Sequence, residues 1–351
     1  MRDQVTVPRL AGAVTVLWFV FALAPARAEV VHQPARWIGR VDVATGSFGW
    51  PGSGLEIAFE GTRLSIAFAD SGENSLVVES AGGARRLDLA AGQHEYVVVE
   101  GLATGIHRLR FIRRTEGLFG PTRFMEARTD GKFVDSAPPQ RRILVLGDSI
   151  SAGYGIEGAD RHCKFSADTE NHFLTYAAVA ARGFGAETMT LAASGHGLLR
   201  SRDGNVPALP ALLDRAVPTR ESPVPLPREA AVQAVVLHLG TNDFAAGRRP
   251  KDFEESYAAL LQRLRQDHPD AFIYAAIGPM LSGNDLQAAE AAIAAAVERR
   301  RQGGEVALRF LRFPPVKGGL GCDWHPNVKA HGRMAEILTA AIVEDLGWGA
   351  P

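Results

Sequence analysis

The chain has 351 residues, a length that favours two domains over one. Hydrophobic residues make up 46% of it and charged residues 22%, as in ordinary globular proteins. The formal net charge of −1 gives no electrostatic basis for binding nucleic acid or an anionic membrane, so we expect neither as a partner.

Residues 1–28 have the pattern of a secretory signal peptide. Arg2 and Arg9 give a positively charged start, residues 10–24 are apolar, and an Ala-Arg-Ala sequence precedes the predicted cleavage before Glu29. A membrane anchor is the alternative, but the apolar stretch is shorter than the roughly 20 residues that a spanning helix needs. We therefore predict a secreted protein, extracellular or periplasmic, that has no membrane attachment after cleavage.

Residues 29–138 are predicted to form a β-sandwich of the jelly-roll type. Apolar and polar residues alternate most clearly at residues 64–68 and 109–113, and no helical period of useful length occurs. Short strands at close spacing, with turn residues between them, are typical of sandwiches and jelly rolls. The predicted strands are residues 37–43, 55–59, 63–68, 75–79, 86–89, 94–99 and 107–113.

A linker at residues 136–140 leads into a second predicted domain, residues 139–351. Continuous apolar runs alternate there with helical segments, which indicates a parallel sheet covered on both faces, in a three-layer α/β/α domain. The predicted strands are residues 143–146, 188–191, 234–239, 272–277 and 306–311, and the predicted helices are residues 173–182, 252–266, 286–302 and 327–345. Between them, the proline-rich residues 207–227 are predicted to form an irregular loop, at the rim of the site or elsewhere on the surface.

Four short motifs follow predicted strands of the second domain. Because the carboxyl ends of parallel strands meet at one edge of the sheet, where ligands bind, we expect the motifs to converge. Together they carry a nucleophile, a general base and hydrogen-bond donors, which are the groups that acyl transfer requires. The motifs are Gly147-Asp148-Ser149, Ala193-Ser194-Gly195, Gly240-Thr241-Asn242-Asp243 and Asp323-Trp324-His325-Pro326.

Ser149 is the predicted nucleophile. It follows a strand and begins a helix, so that backbone amides approach the ligand and the helix start favours negative charge. A helix cap is the alternative role for this serine. The spacing differs from the Gly-x-Ser-x-Gly elbow of α/β-hydrolases, because Gly147 is two positions before the serine and Ile150 follows it. That fold is therefore disfavoured, although serine chemistry is not.

His325 is the predicted general base that the serine needs. Asp323 is predicted to orient its ring, because side chains two residues apart point the same way in an extended segment. A surface Asp-x-His without catalytic function is the alternative. Since the base must be neutral to act, we expect activity to rise with pH through the range in which histidine titrates.

Three donors are predicted to hold the oxyanion of the tetrahedral intermediate. They are the backbone amides of Ser149 and Gly195 and the side-chain amide of Asn242. The alternative is that Asn242 and Asp243 serve only as turn residues.

The only two cysteines, Cys163 and Cys322, are predicted to form a disulfide bond. Disulfides persist in the compartments to which a signal peptide leads, and both predicted loops leave the same edge of the sheet. Two separate thiols are the alternative. No histidine or carboxylate spacing resembles a zinc motif such as His-Glu-x-x-His, so we predict neither a metal nor a cofactor.

The four motifs, in this order and spacing, resemble those of the SGNH/GDSL hydrolase superfamily. The resemblance implies Ser149 as nucleophile, Gly195 and Asn242 as oxyanion donors and His325 as base. Many members place the aspartate three residues before the histidine, where this chain has Cys322.

A more specific resemblance, to carbohydrate esterase family 2, accounts for that departure. Members join an N-terminal jelly roll to an SGNH domain, and their aspartate can stand two residues before the histidine. In some of them a backbone carbonyl orients the histidine instead, which leaves the role of Asp323 open. The supporting strings are Phe48-Gly49-Trp50-Pro51-Gly52-Ser53, His107-Arg108-Leu109, Arg113-Arg114-Thr115-Glu116, Gly147 to Gly155, and Gly321-Cys322-Asp323-Trp324-His325-Pro326-Asn327.

The resemblance implies a secreted, acetylxylan esterase-like serine esterase that removes O-acetyl groups from polysaccharides or oligosaccharides, often at the 6-hydroxyl of a sugar. Tyr154 and Trp324 are predicted to contact the sugar, with core packing the alternative for Trp324, and His196 is predicted at the rim of the site. Two other functions are open: a short-chain lipase, thioesterase or acyltransferase on the same fold, and a carbohydrate-binding protein without activity.

Overall fold

The computed structural model of the protein describes residues 29–219, 231–316 and 318–349. The predicted signal peptide and part of the proline-rich segment lie outside these residues.

The N-terminal part of the chain forms two antiparallel sheets that face each other. Leu64, Ile66 and Phe68 of one sheet pack against residues of the other, with Phe68 and Phe111 ring centroids 5.9 Å apart. The sheet orders among the described residues are β3-β4-β11-β6-β9, with β1 beside β11, and β12-β5-β10-β7-β8, with β2 beside β5. The strands are β1 (Glu29–Val31), β2 (Arg36–Ile38), β3 (Val41–Asp42), β4 (Ser47–Phe48), β5 (Gly54–Glu60), β6 (Leu64–Asp70), β7 (Ser75–Ser80), β8 (Gly83–Asp88), β9 (Gly92–Val99), β10 (Ile106–Arg113), β11 (Thr122–Thr129) and β12 (Lys132–Phe133).

A parallel sheet with helices on both faces follows, in the order β14-β13-β15-β16-β17. Ile143 and Val145 face one core, with α2 and α6, whereas Leu144 and Leu146 face the other, with α4 and α5. Both faces are therefore apolar, as the continuous hydrophobic runs indicated. The strands are β13 (Arg142–Gly147), β14 (Glu187–Ala192), β15 (Ala234–His238), β16 (Phe272–Ile277) and β17 (Leu308–Arg312). The helices are α1 (Ser149–Ala152), α2 (Tyr176–Gly183), α3 (Thr241–Phe244), α4 (Phe253–Asp267), α5 (Gly283–Gln302) and α6 (Val328–Leu346).

This architecture confirms the predicted fold class, a β-sandwich followed by a three-layer α/β/α domain. β13 lies between β14 and β15, so the strand order reverses direction beside the carboxyl end of β13. Open parallel sheets bind ligands at such a reversal. Ser149 begins the helix directly after β13, and the fold therefore presents it at that point.

The two sheets and the α/β domain share a buried seam. Trp50 is fully buried in a core cluster of the α/β domain, and its indole N–H donates to the carbonyl of Arg215, 3.1 Å away. Arg36 of β2 pairs with Glu187 at the start of β14, 2.5 Å away. Ile112 packs against Phe173 on the outer face of its sheet. The β-sandwich thus completes the packing of the α/β domain.

No helix within the described residues is long and apolar enough to cross a bilayer.

Candidate active site

Ser149 begins helix α1 at the end of β13. Asp148 caps this helix, since its Oδ1 accepts a hydrogen bond from the Ile150 N–H, 3.0 Å away. As the first residue of the helix, Ser149 has a backbone N–H without an intrahelical acceptor. Glycine is required at Gly147, because a Cβ there would lie 2.5 Å from the Cβ of Ser151. The turn therefore holds the serine hydroxyl and its amide at the edge of the sheet.

His325 contacts Ser149 directly. The distance from His325 Nε2 to Ser149 Oγ is 2.9 Å, and His325 Nδ1 lies 3.1 Å from the backbone carbonyl oxygen of Asp323. A carbonyl can only accept, so Nδ1 carries the proton and Nε2 accepts from the serine hydroxyl. Burial lowers the pKa of His325 to about 4, although the carbonyl of Asp323 opposes that shift. The imidazole is therefore neutral near pH 7, as a general base must be.

The carboxylate of Asp323 does not orient His325, which corrects the predicted role of this side chain. It accepts hydrogen bonds from the Tyr154 hydroxyl and the Phe165 N–H, each 3.1 Å away, and from Lys164 Nζ, 3.2 Å away. The Phe165 N–H is the main cause of the lowered pKa of Asp323, followed by Lys164 and Tyr154. The carboxylate is thus ionised and held away from the imidazole.

A left-handed turn explains why the expectation from the sequence was wrong. Asp323 has φ 49° and ψ 39°, and Trp324 has φ 67°, so residues 322–324 form a tight turn rather than an extended segment. Alternation of side chains over two residues does not apply to such a turn. Each left-handed non-glycine residue costs on the order of 1–3 kcal/mol and persists only where its surroundings hold it. Here the turn aims the Asp323 carbonyl at the imidazole.

The turn is tied to the loop that follows the nucleophile. Cys163 and Cys322, the predicted pair, are joined by a disulfide bond. Beside the disulfide, the Asp323 N–H donates to the Cys163 carbonyl, and the Cys322 N–H donates to the Gly155 carbonyl. Each of these hydrogen bonds is 3.1 Å long. A Cβ at Gly158 would lie 2.5 Å from Cys322 Sγ, so the close approach of the two segments needs glycine there.

Tyr154 supports the base from the side. Its ring centroid lies 4.2 Å from that of His325 and 3.6 Å from that of Phe165. Burial is the largest cause of the raised pKa of Tyr154, and the nearby carboxylate of Asp323 adds to it. The hydroxyl therefore stays protonated and donates to Asp323. These contacts place Tyr154 behind the histidine, and its contact with substrate stays a prediction.

Gly195 and Asn242 are the other two predicted oxyanion donors. Gly195 has φ 78°, a conformation that favours glycine, and its N–H donates to no other group of the described residues. Asn242 follows β15 in the short helix α3, and its Nδ2 donates to the carbonyl of His196, 3.1 Å away. The same nitrogen lies 3.5 Å from Asp148 Oδ2. Asn242 thus contacts Asp148 and His196, which are the sequence neighbours of the other two predicted donors, Ser149 and Gly195.

Asp243 has a role that the sequence did not reveal. Its carboxylate accepts from the Leu198 N–H at 2.8 Å and the Leu199 N–H at 2.9 Å, and so it fixes the loop after Gly195. Burial is the main cause of its raised pKa. Its position in the Gly-Thr-Asn-Asp motif was visible, but the loop that it holds has no periodic pattern from which the contact could be inferred.

His196 and Trp324 are the remaining predicted contacts of the substrate. His196 is partly buried, with Nδ1 3.0 Å from the Ser194 carbonyl, and burial lowers its pKa. Trp324 is 53% exposed, which excludes core packing as its role. The guanidinium of Arg161 lies 4.5 Å from its ring centroid. Among the described residues there is no group of three or more His, Cys, Asp or Glu that could hold a metal ion.

The chain matches two protein families and several known proteins. Residues 37–138 match the carbohydrate esterase 2 N-terminal family, and residues 145–333 match the GDSL-like lipase/acylhydrolase family. The chain is 34% identical over 313 residues to the cellulase/esterase CelE of Acetivibrio thermocellus, and the match covers 85% of this chain. It spans only 38% of the length of CelE.

Two further relatives match over nearly their whole length. An acetylxylan esterase/glucomannan deacetylase of Cellvibrio japonicus is 27% identical over 318 residues, which is 88% of this chain and 87% of that protein. A solved family two carbohydrate esterase from Clostridium thermocellum, in complex with cellohexaose, superimposes with a TM-score of 0.83 at 32% identity. That match covers 91% of this chain and 100% of the solved chain.

Replacing Asp323 by Asn tests which group orients the histidine. Asparagine tolerates the left-handed conformation, so the backbone carbonyl should keep its place. We expect kcat for hydrolysis of p-nitrophenyl acetate to fall less than about tenfold, whereas the same change in a side chain that completes a Ser-His-Asp triad costs about 10⁴-fold. Ser149→Ala gives the background rate. A loss near 10⁴-fold in Asp323→Asn would return the carboxylate to the catalytic unit.

Proposed function

The chain belongs to carbohydrate esterase family 2, and from this membership and the geometry of the site we propose that it removes O-acetyl groups from polysaccharides or oligosaccharides. One observation carries the proposal. The 2.9 Å contact between Ser149 Oγ and His325 Nε2 joins a nucleophile to a neutral base, beside groups that can hold an oxyanion.

The reaction proceeds through an acetyl-serine intermediate. His325 Nε2 takes the Ser149 proton as Oγ attacks the acetyl carbonyl carbon, and the carbonyl oxygen becomes an oxyanion. The amides of Ser149 and Gly195 and Nδ2 of Asn242 donate to that oxygen. The bond to the sugar oxygen then breaks, and the imidazolium Nε2–H protonates the departing hydroxyl. Water attacks the acetyl-serine with the same base, which releases acetate and restores Ser149.

Three observations support a polysaccharide as the substrate. The relatives include an acetylxylan esterase/glucomannan deacetylase, and a related solved structure holds cellohexaose. In this chain Trp324 directly precedes the base and exposes more than half of its surface, so its ring offers a stacking surface for a sugar next to the nucleophile. The rim would thus hold a chain of sugars while one acetyl group reaches Ser149.

We also propose that the protein is exported. The disulfide between Cys163 and Cys322 supports this, because such bonds persist in oxidising compartments and are rare in the cytosol. The pattern of residues 1–28 supports the same proposal.

Acetate release from acetylated oligosaccharides tests the proposed activity. We expect the wild type to release acetate from acetylated xylo- and manno-oligosaccharides and to prefer acetyl over butyryl and octanoyl p-nitrophenyl esters. Ser149→Ala should abolish release, because it removes the hydroxyl that forms the acetyl-enzyme. Preference for octanoyl esters would favour a lipase, and glycan binding without acetate release would favour a binding protein.

Asn242→Ala should lower kcat by about 100- to 1,000-fold with little change in KM, because it removes a donor that acts mainly in the transition state. Steady-state kinetics on p-nitrophenyl acetate measures the change. Activity within about tenfold of the wild type would show that Asn242 is not an oxyanion donor.

The acid limb of the pH–activity profile should lie at a lower pH than the ordinary pKa of histidine predicts. Burial lowers the pKa of His325 to about 4, so the base loses its activity as the pH falls through that value and is fully neutral well above it. We therefore expect kcat/KM to be flat from about pH 6 to about pH 8 and to fall below about pH 5. A midpoint near the ordinary histidine value would contradict the burial of the ring. Tyr154→Ala, which uncovers the ring, should move the midpoint upward.

A further inference from the structure

The Gly195 N–H, one of the proposed oxyanion donors, belongs to the Ser194–Gly195 peptide, and the peptides on both sides of the Ser194 Cα are held. The Ser194 carbonyl oxygen lies 3.0 Å from Nδ1 of His196. The Ser194 N–H donates to Glu116 Oε2, 2.7 Å away. The carbonyl and N–H of a trans peptide point in opposite directions. The His196 contact holds the Ser194–Gly195 peptide through its carbonyl, and the Glu116 contact holds the preceding Ala193–Ser194 peptide. Together they set the direction in which the Gly195 N–H points.

Glu116 belongs to the β-sandwich, and its side chain contacts Ser194 of the α/β domain. It follows β10 of the β-sandwich and is 3% exposed. The backbone of Glu116 is held as well. Its N–H donates to Glu170 Oε2, 3.1 Å away, and its carbonyl accepts a hydrogen bond from Nη2 of the buried Arg113, 2.9 Å away. The carboxylate thus has a rigid base, and the contact with Ser194 crosses the seam between the domains.

Burying the Glu116 carboxylate costs free energy, because a charged group loses its hydration. Burial raises the pKa of Glu116, although its contact with Ser194 opposes the shift. Its second oxygen, Oε1, has no hydrogen-bond partner among the described residues. Replacing buried charged groups by apolar side chains of similar volume is often neutral or stabilising. The hydrogen bond to an amide beside the oxyanion donor is therefore what the carboxylate adds.

We propose that Glu116 is a positioning residue that holds the Ala193–Ser194 peptide and so keeps the N–H of the next residue, Gly195, aimed at the oxyanion. This inference rests on the proposed esterase function. The β-sandwich then takes part in the chemistry through one side chain, because preorganised donors stabilise the transition state more than donors that must reorient.

The test compares Glu116→Met with Glu116→Gln. Methionine keeps the volume and removes the acceptor, whereas glutamine keeps an oxygen that can accept from Ser194. We expect Glu116→Met to lower kcat by about 10- to 100-fold with KM nearly unchanged, since misplacing a group by about 1 Å can cost about 100-fold. Glu116→Gln should stay within a few-fold of the wild type. If Glu116→Met does not fold, Glu116→Asp replaces it, because its shorter carboxylate cannot reach the amide.

Glu187→Met is the matched control. Glu187 is also a buried carboxylate in a contact across the seam, with Arg36, and it lies at the start of β14, the strand that leads to Ser194. This variant should lower the thermal midpoint but leave kcat unchanged. If it loses kcat as Glu116→Met does, loosening of the domains explains both effects and the inference is wrong.

Binding of phenylboronic acid gives a second measurement. The boronate forms a tetrahedral adduct with an active serine, so its affinity should fall in Glu116→Met in parallel with kcat/KM and should vanish in Ser149→Ala. A folded Glu116→Met with the kcat and boronate affinity of the wild type, or with a change in KM alone, overturns the role of Glu116. A wild type that releases no acetate from any ester contradicts the esterase function and, with it, this inference.

Discussion

The candidate site depends on one contact, between the Ser149 hydroxyl and the His325 imidazole. These two residues are 176 positions apart in sequence. The parallel sheet brings the ends of β13 and of the segment after β17 to the same edge. The last few ångströms are set by the left-handed turn at Asp323 and Trp324, which the disulfide and the Cys163 carbonyl hold against the loop after the serine. The fold supplies proximity, and this cross-linked turn supplies direction.

Much of the fold was readable from the sequence, because continuous apolar runs and helical periods report burial directly. Strand β11 was missed for a physical reason: its register shifts between Phe124 and Glu126, and such a bulge breaks the alternation on which the prediction rests. The wrong role for the Asp323 side chain has a similar origin. Two residues in a left-handed conformation cannot be read from periodicity, and so the direction of the side chain was inferred for an extended segment.

The contacts that cross the seam could not be predicted either, since no local pattern encodes them. Glu116 and Trp50 were visible only as members of two family strings. In the structure Trp50 fills the core of the α/β domain, while Glu116 and Arg36 bring charged groups to both ends of β14. The β-sandwich is therefore a structural part of the site-bearing domain rather than an appended module.

The use of a main-chain carbonyl to orient His325 has an evolutionary consequence. A side-chain partner can be lost through one nucleotide change, whereas a carbonyl is present whichever amino acid occupies the position. Asn and Gly also adopt the left-handed conformation, so either residue would keep that carbonyl in place. The Asp323 carboxylate meanwhile ties the turn to Tyr154, Lys164 and Phe165. One residue thus divides two tasks between its main chain, which aligns the base, and its side chain, which anchors the turn.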